Sequence, residues 1–348
     1  MTRVRSFGWV TAVTGLLVGA LSGTSQARGN AQACSLGSAA VGQPGTLICK
    51  DVLSGATTQT VPLGATVAAA GGIAASLASR DDQVLVTNQA NGAVLFHVHG
   101  GYLLDPTVLQ TDGEGSLSGA LGQRGAYVLT GTMLRFFPRG QTTASSTSRL
   151  LVADGSAATV TLTDHFAYVS EKNGSLEAFA LGGDGSLGAA TPVSGVSPGV
   201  IVGITGFDDL VVAPIAHLAS NPNQSEIAVA SGVAQVQRVP TKEVAACWAA
   251  NDDGEVCVAN PGSMTVSCGH AGDGGLLSYT GAAASLPGES VFDLDMRQGL
   301  VAIQGVHGGA PVLLTFRRTA GDFLMPIGEL PVGTALAAGA LLLPPASH

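Results

Sequence analysis

Apolar and polar residues alternate in two short runs, 84–88 (VLVTN) and 93–99, separated by a turn at 89–92. A period of two broken by Asn and Gly is the pattern of a β-hairpin. The unit returns at Tyr127-Val128-Leu129-Thr130 ahead of 134–137, and at 166–170, where Glu171-Lys172-Asn173-Gly174 turns the chain into 175–181. Further copies fall at 210–213, 256–260 and 300–303.

With Val86, Val128, Val169, Val212, Val258 and Val301 as markers, successive copies lie 42, 41, 43, 46 and 43 residues apart. One more step back reaches Leu47-Ile48-Cys49, which is taken as a seventh copy. Units of this length holding four short strands are propeller blades. Polar turns precede the markers at 79–82, 207–209 and 251–254, and Gly-rich turns follow the outer part of several units at 112–115, 182–185 and 271–275. Alone, a four-stranded sheet would leave both faces bare, whereas a ring of them covers every face and leaves short outer edges. The pattern therefore predicts an all-β fold, a seven-bladed β-propeller with four-stranded antiparallel blades. A single domain over 34–344 is expected, closed by pairing N-terminal with C-terminal strands. A large β-sandwich needs no such constant period, and a β-helix has a shorter one.

The N-terminus follows a different pattern. Arg3 and Arg5 precede an uncharged apolar run at 7–21, and Ser25-Gln26-Ala27 places small residues at a cleavage site. Residues 1–27 read as a signal peptide, with Ala31-Gln32-Ala33 as a second cleavage site, so a secreted product, extracellular or periplasmic, is expected. The apolar run is shorter than the roughly 20 residues that cross a bilayer. The 335–343 run is shorter still, so no transmembrane span is expected in the mature chain.

Hydrophobic residues make up 46% and charged residues 11% of the 348, which excludes a disordered, charge-rich chain. The 49 glycines follow no G-x-y period and mark turns rather than collagen. The formal charge is −9, and the 15 basic residues form no block, so no nucleic-acid partner is expected.

Five cysteines in an oxidising compartment form at most two bridges. Cys257 and Cys268 flank the turn at 260–263, Cys247 competes for Cys257, and a Cys34–Cys49 bridge would fasten the N-terminal segment. Neither a close Cys pair nor a His cluster accompanies them, so no metal and no cofactor are expected.

Candidate chemistry sits around the marker strands. Glu171 directly follows one and is a candidate base for activating water, or a turn glutamate. His165 before the same strand, and His217 and His307 after later ones, are alternative bases or plain loop residues. Asn88 and Asn260 occupy equivalent positions, as turn caps or channel-facing ligand contacts. Arg238 and Arg297 suit an anion clamp, with Asp295 offering Arg297 a local partner instead. Trp248 is either an apolar wall for a ligand or a packing residue.

The repeated Tyr-Val/Leu-Val-x-Asn strand followed by Gly and an apolar strand, with the D-G-S-L-G form at 184–188, resembles the seven-bladed propeller lactonase family. That family includes 6-phosphogluconolactonase-like and carboxymuconate-lactonising enzymes. The stretch from Ala246-Cys247-Trp248 through 258–262 is similar to its secreted members, and the resemblance covers about 40–340. It implies His, Glu and Arg side chains near one mouth of a central channel. The chain departs from the pattern at Ser197-Pro198-Gly199-Val200, where the family's histidine is missing, and at Ala213-Pro214, where its acidic residue has no match. The expectation is a secreted, monomeric, lactonase-like protein that opens a lactone or small cyclic ester with activated water. The alternative is a non-catalytic propeller whose channel-mouth loops bind a small ligand or an extracellular protein.

Overall fold

The computed structural model describes residues 31–66, 77–196, 198–217, 225–271, 277–319 and 323–343. The predicted leader 1–27, Ser197, most of the 221–225 loop and most of the 271–275 turn lie outside them. Every described strand belongs to one of seven four-stranded antiparallel sheets.

Blade 1 combines β1 (Gln32–Ser38), β2 (Pro44–Asp51) and β3 (Thr57–Ala65) with the last strand, β28 (Leu336–Leu343). Blade 2 holds β4 (Leu77–Arg80), β5 (Gln83–Gln89), β6 (Gly92–His99) and β7 (Tyr102–Leu109). Blade 3 holds β8 (Ser118–Leu121), β9 (Gly125–Leu129), β10 (Met133–Pro138) and β11 (Ser146–Arg149). Blade 4 holds β12 (Ala157–Leu162), β13 (Phe166–Glu171), β14 (Leu176–Leu181) and β15 (Leu187–Pro192). Blade 5 holds β16 (Thr205–Phe207), β17 (Leu210–Ile215), β18 (Glu226–Ser231) and β19 (Ala234–Pro240). Blade 6 holds β20 (Trp248–Asp252), β21 (Glu255–Asn260), β22 (Thr265–Ala271) and β23 (Leu277–Ser285). Blade 7 holds β24 (Ser290–Arg297), β25 (Leu300–His307), β26 (Ala310–Arg318) and β27 (Leu324–Pro331).

The first strand of each blade lines the axis, and each touches the next in an unbroken ring that β28 completes between β24 and β4. The predicted closure is present: β28 pairs antiparallel with β1, Gln32 facing Leu343 and Ser38 facing Leu336. One detail differs from the sequence reading. The triplet Leu47-Ile48-Cys49 lies on β2, the third strand of its blade, so the seventh counterpart of the marker strands is β1. The first blade takes a longer step along the chain than the others, and a fixed period counted back from Val86 stops one strand short of β1.

The marker strands recur because they are covered on both faces. All six marker valines have no exposed surface. Among the described residues the apolar core divides into seven clusters, each built mainly across one seam between neighbouring blades. Blade packing thus forms a ring of similar interfaces, and each interface needs the same aliphatic strand.

Each first strand would present unpaired backbone to the channel. Side chains of the neighbouring blade satisfy much of it. Ser118 Oγ accepts the Val160 amide at 3.1 Å, and Thr159 Oγ1 accepts that of Ile204 at 3.3 Å. Asn251 Nδ2 donates to the Gly206 carbonyl at 3.0 Å, and Asp252 Oδ2 accepts the Gly299 amide at 3.0 Å. Asp293 and Asp295 accept the Ala340 and Leu342 amides at 3.2 and 2.7 Å. Gly206 marks a close approach between blades, since a Cβ there would stand 2.2 Å from the Leu162 carbonyl oxygen.

Two disulfides are present, Cys34–Cys49 and Cys257–Cys268. Each joins facing residues on the second and third strands of one blade, with Cα atoms 4.0 and 4.1 Å apart. Cys247 is left as a buried thiol, pushed up to about 12 by burial. The oxidised protein is therefore expected to resist maleimide when native and to take up one label per chain after denaturation without reductant. Replacing Cys257 and Cys268 together by Ala should cost about 2–3 kcal/mol in urea unfolding, the loop-closure value for their sequence separation of 11.

Candidate functional site

The propeller has two faces. The turns between first and second strands, with those between third and fourth, form the lower face. The second-to-third turns and the crossings from blade to blade form the upper one. Because β13 runs between them, the sequence candidates at its two ends separate. His165 lies on the lower face and Glu171 on the upper, about 20 Å apart at the rise of an extended strand.

Asn88, Glu171 and Asn260 share one register at the upper end of the second strand in blades 2, 4 and 6, with Thr130 in blade 3. All four are buried. Glu171 Oε2 accepts the Ser156 hydroxyl at 2.8 Å, whereas Oε1 has no partner. Asn260 Nδ2 donates to Ser267 Oγ at 2.9 Å and Thr265 Oγ1 at 3.2 Å. Gly174, in the turn after Glu171, packs so tightly on Gly199 that a Cβ would meet its carbonyl oxygen at 2.4 Å. Glu171 is thus sealed beneath the crossing to blade 5. Burial raises its carboxyl to about 7, and the Ser156 hydrogen bond opposes the shift.

The remaining upper-face candidates are engaged separately. Arg238, on the outer strand β19, forms a two-pronged ion pair with Glu226, and His217 Nε2 stands 3.5 Å from the same carboxylate. Trp248 is buried and packs edge-on against Phe292 at 6.4 Å.

Arg297 belongs to the closure. At the lower end of β24 it reaches past β28 to Ser79 Oγ in β4 at 2.9 Å, and its Nη1 also lies 3.4 Å from the Leu342 carbonyl. Beside it, burial raises Asp295 to about 6, opposed by the Leu342 amide. His307 lies on the upper rim, its Nδ1 2.7 Å from Glu329.

The open space lies at the axis and below. A cavity of about 260 Å³ runs through the channel and takes wall residues from all seven first strands. A cleft of about 500 Å³ opens on the lower face across blades 3, 4 and 5. The two meet at Arg80, Leu162 and Gly206, which line both. The cleft brings together Arg80, Arg124, Tyr127 and His165 with Asp164 and Asp208. The Arg80 Nε is buried without a hydrogen-bond partner, 3.8 Å from Asp81. His165 is largely exposed, with Asp209 3.7 Å from its Nε2. Tyr127 donates its hydroxyl to Gly185 at 2.8 Å and is pushed up to about 12 by burial, with Asp184 adding to the shift.

Of the sequence candidates, then, only His165 lines this cleft. Arg80 and Arg124 were not singled out in the sequence, where they are two arginines at blade turns. Their one legible signal is that each adjoins a first-to-second turn, the position that carries a side chain to the lower mouth. No group of His, Cys, Asp and Glu suited to a metal ion is found among the described residues, nor is any helix long and apolar enough to cross a membrane.

No family model and no curated protein matches the chain. Solved structures do match its fold. A functionally unknown protein from Desulfotomaculum acetoxidans aligns with TM-score 0.63 at 14% identity, covering 91% of this chain and 99% of that one. A periplasmic gluconolactonase of Pseudomonas aeruginosa aligns with TM-score 0.61 at 12% identity, covering 90% and 98%. A chain of a nidogen/laminin complex aligns with TM-score 0.51 at 12% identity, again covering 90% and 98%. The likeness is one of propeller fold at low sequence identity.

The sealed carboxyl has a measurable consequence. Glu171 has an ordinary value of 4.5 and about 7 in the fold, so between these pH values the unfolded chain releases a proton that the folded protein keeps. Stability should fall as pH rises across that window, with Asp295 acting in the same sense up to about 6. Glu171→Gln should unfold like the parent near pH 4.5 and be more stable at pH 8, by on the order of 2 kcal/mol. Urea titrations at the two pH values check this, and an equal difference at both would refute it.

Proposed function

We propose that the protein is a secreted, lactonase-like propeller that takes a small polar ring ester at the lower mouth of its channel. The observation that carries this reading is the junction of channel and cleft at Arg80, beside Arg124 and His165. In the reaction, His165 takes a proton from water as its oxygen adds to the ester carbonyl. The Arg80 and Arg124 guanidinium groups face the charge that develops on the carbonyl oxygen. The ring C–O bond then breaks, and the departing alkoxide takes up a proton to leave a hydroxy acid. Asp209 holds the imidazole from its other side, as an orienting carboxylate does. The fold likeness to the periplasmic gluconolactonase supports the substrate class, and the leader-like N-terminus supports export.

A second reading is binding at the same mouth without turnover. It is favoured by the distance between His165 and Glu171, which leaves the buried, raised carboxyl of blade 4 out of reach of anything bound below.

The test is hydrolysis of a panel of lactones of different ring size by the purified mature protein, with acid release followed by pH-stat. Turnover is expected, with kcat/KM reduced at least about 100-fold in His165→Ala and KM raised in Arg124→Ala. Glu171→Gln should leave turnover intact. Loss of turnover in Glu171→Gln but not in His165→Ala would move the site to the upper face. No turnover above a heat-denatured control, with lactone or hydroxy-acid binding retained, would establish the second reading.

A further inference from the structure

The charge around the lower mouth is not what two arginines alone would give. In blades 2 to 7 the inner strand ends on this face, so the turns into the second strands encircle the mouth of the channel. Those turns, at 81–82, 123–124, 164–165, 208–209, 253–254 and 298–299, carry six exposed aspartates, Asp81, Asp82, Asp164, Asp208, Asp209 and Asp253, against the one arginine Arg124. A small ion approaching the mouth therefore meets a field that favours a cation.

Inside the cleft most charges already have a counter-charge. Arg80 lies 3.8 Å from Asp81, which Arg139 also approaches at 3.4 Å, and Asp82 lies 3.6 Å from His97 Nδ1. Asp209 stands beside His165. Asp184, held below its ordinary value first by hydrogen bonds from Ser186, also feels the Arg124 charge. Asp164 and Asp208 differ from these. They line the cleft in adjoining turns, the Asp164 amide donating to the Asp208 carbonyl at 2.7 Å. Neither carboxylate has an ion pair or a side-chain hydrogen bond among the described residues. One exposed carboxylate holds a cation weakly in water, but two on one wall of a concave site act on the same charge at short range.

We infer that the ring ester taken at the lower mouth carries an ammonium group, which sits against Asp164 and Asp208 while its carbonyl faces Arg80 and Arg124; this rests on that mouth being the ligand site and fixes the charge of the ligand. An anionic ring ester would reach the two arginines only through the surrounding aspartates. With an aspartate beside each of them, the guanidinium groups are left to donate hydrogen bonds to a carbonyl rather than to hold a carboxylate or phosphate.

The test uses three γ-butyrolactones that differ only in the substituent beside the carbonyl: trimethylammonium, tert-butyl or carboxylate. The first two share one shape, and the ammonium charge does not change with pH. The purified mature protein should favour the trimethylammonium lactone over the tert-butyl one in kcat/KM at least about fivefold beyond the ratio of their uncatalysed rates, and disfavour the carboxylate. Raising salt from about 50 to about 500 mM should shrink that preference by screening. Replacing both carboxylates, Asp164→Asn with Asp208→Asn, should abolish it. Asn suits position 208, where φ is 47° and a short polar side chain is tolerated. Should the double variant not fold, Asp164→Asn alone should reduce the preference. The matching γ-butyrolactams, which are not hydrolysed, give the same comparison as dissociation constants by calorimetry. Equal treatment of charged and neutral rings in both assays, or the same preference in parent and folded variant, would overturn the inference and leave hydrolysis standing. Charge preference among the lactams with no turnover of any lactone would uphold it and retire the hydrolase reading. Neither turnover nor lactam binding would overturn both.

Discussion

Ring closure is the constraint on which the rest of this structure depends. Seven sheets meeting at an axis each expose one strand edge inward, and the last position in the ring must be filled from the far end of the chain. β28 fills it, hydrogen-bonded to β1 along its length. On its other side it is held by Asp293 and Asp295 of β24, which accept its Ala340 and Leu342 amides, while Arg297 spans to Ser79 on the blade beyond. Charged groups are costly to bury, and here they are retained where the backbone of the closing strand supplies their partners. Arg297 and Asp295 looked in the sequence like a ligand clamp and a local pair. Their geometry makes them the fastening of the ring.

The fold was legible because its seams repeat. Val86, Val128, Val169, Val212, Val258 and Val301 lie on strands buried on both faces, so the same aliphatic run had to recur about every 43 residues. The count slipped only at blade 1, where one blade is assembled from both ends of the chain and a step of constant length lands on β2 instead of β1. The equivalence of Asn88 and Asn260 was also legible, and Glu171 shares their register. The sequence left Cys247 and Cys268 competing for Cys257, and strand pairing decides between them by placing Cys257 opposite Cys268 while Cys247 lies outside that pair.

The candidate site was much less legible, for a physical reason. A strand carries its two ends to opposite faces, so His165 and Glu171, near neighbours in sequence, cannot serve one ligand. Residues that do meet come from different blades at the same end of their strands, as Arg80, Arg124 and His165 do in the cleft. Those positions are separated by about one blade length and carry no shared motif. Single-sequence reading favours clusters around one strand, whereas the ring gathers residues by register. Register is visible only once the turn between first and second strands has been fixed, and the four turns opened by Asp81, Asp208, Asp253 and Gln298 all carry positive φ there.

The same repetition governs how the seams are closed. The seam that recurs seven times is filled by aliphatic side chains inside, and at four of the seven a polar clasp closes the outer rim over them. Where the clasp is present, as at Gln59 and Gln237, the blade edge is satisfied and closed. Between β23 and β27 no clasp is present among the described residues, yet Leu314 and Phe316 behind the gap are only 2% and 3% exposed, so the aliphatic layer alone keeps that seam dry.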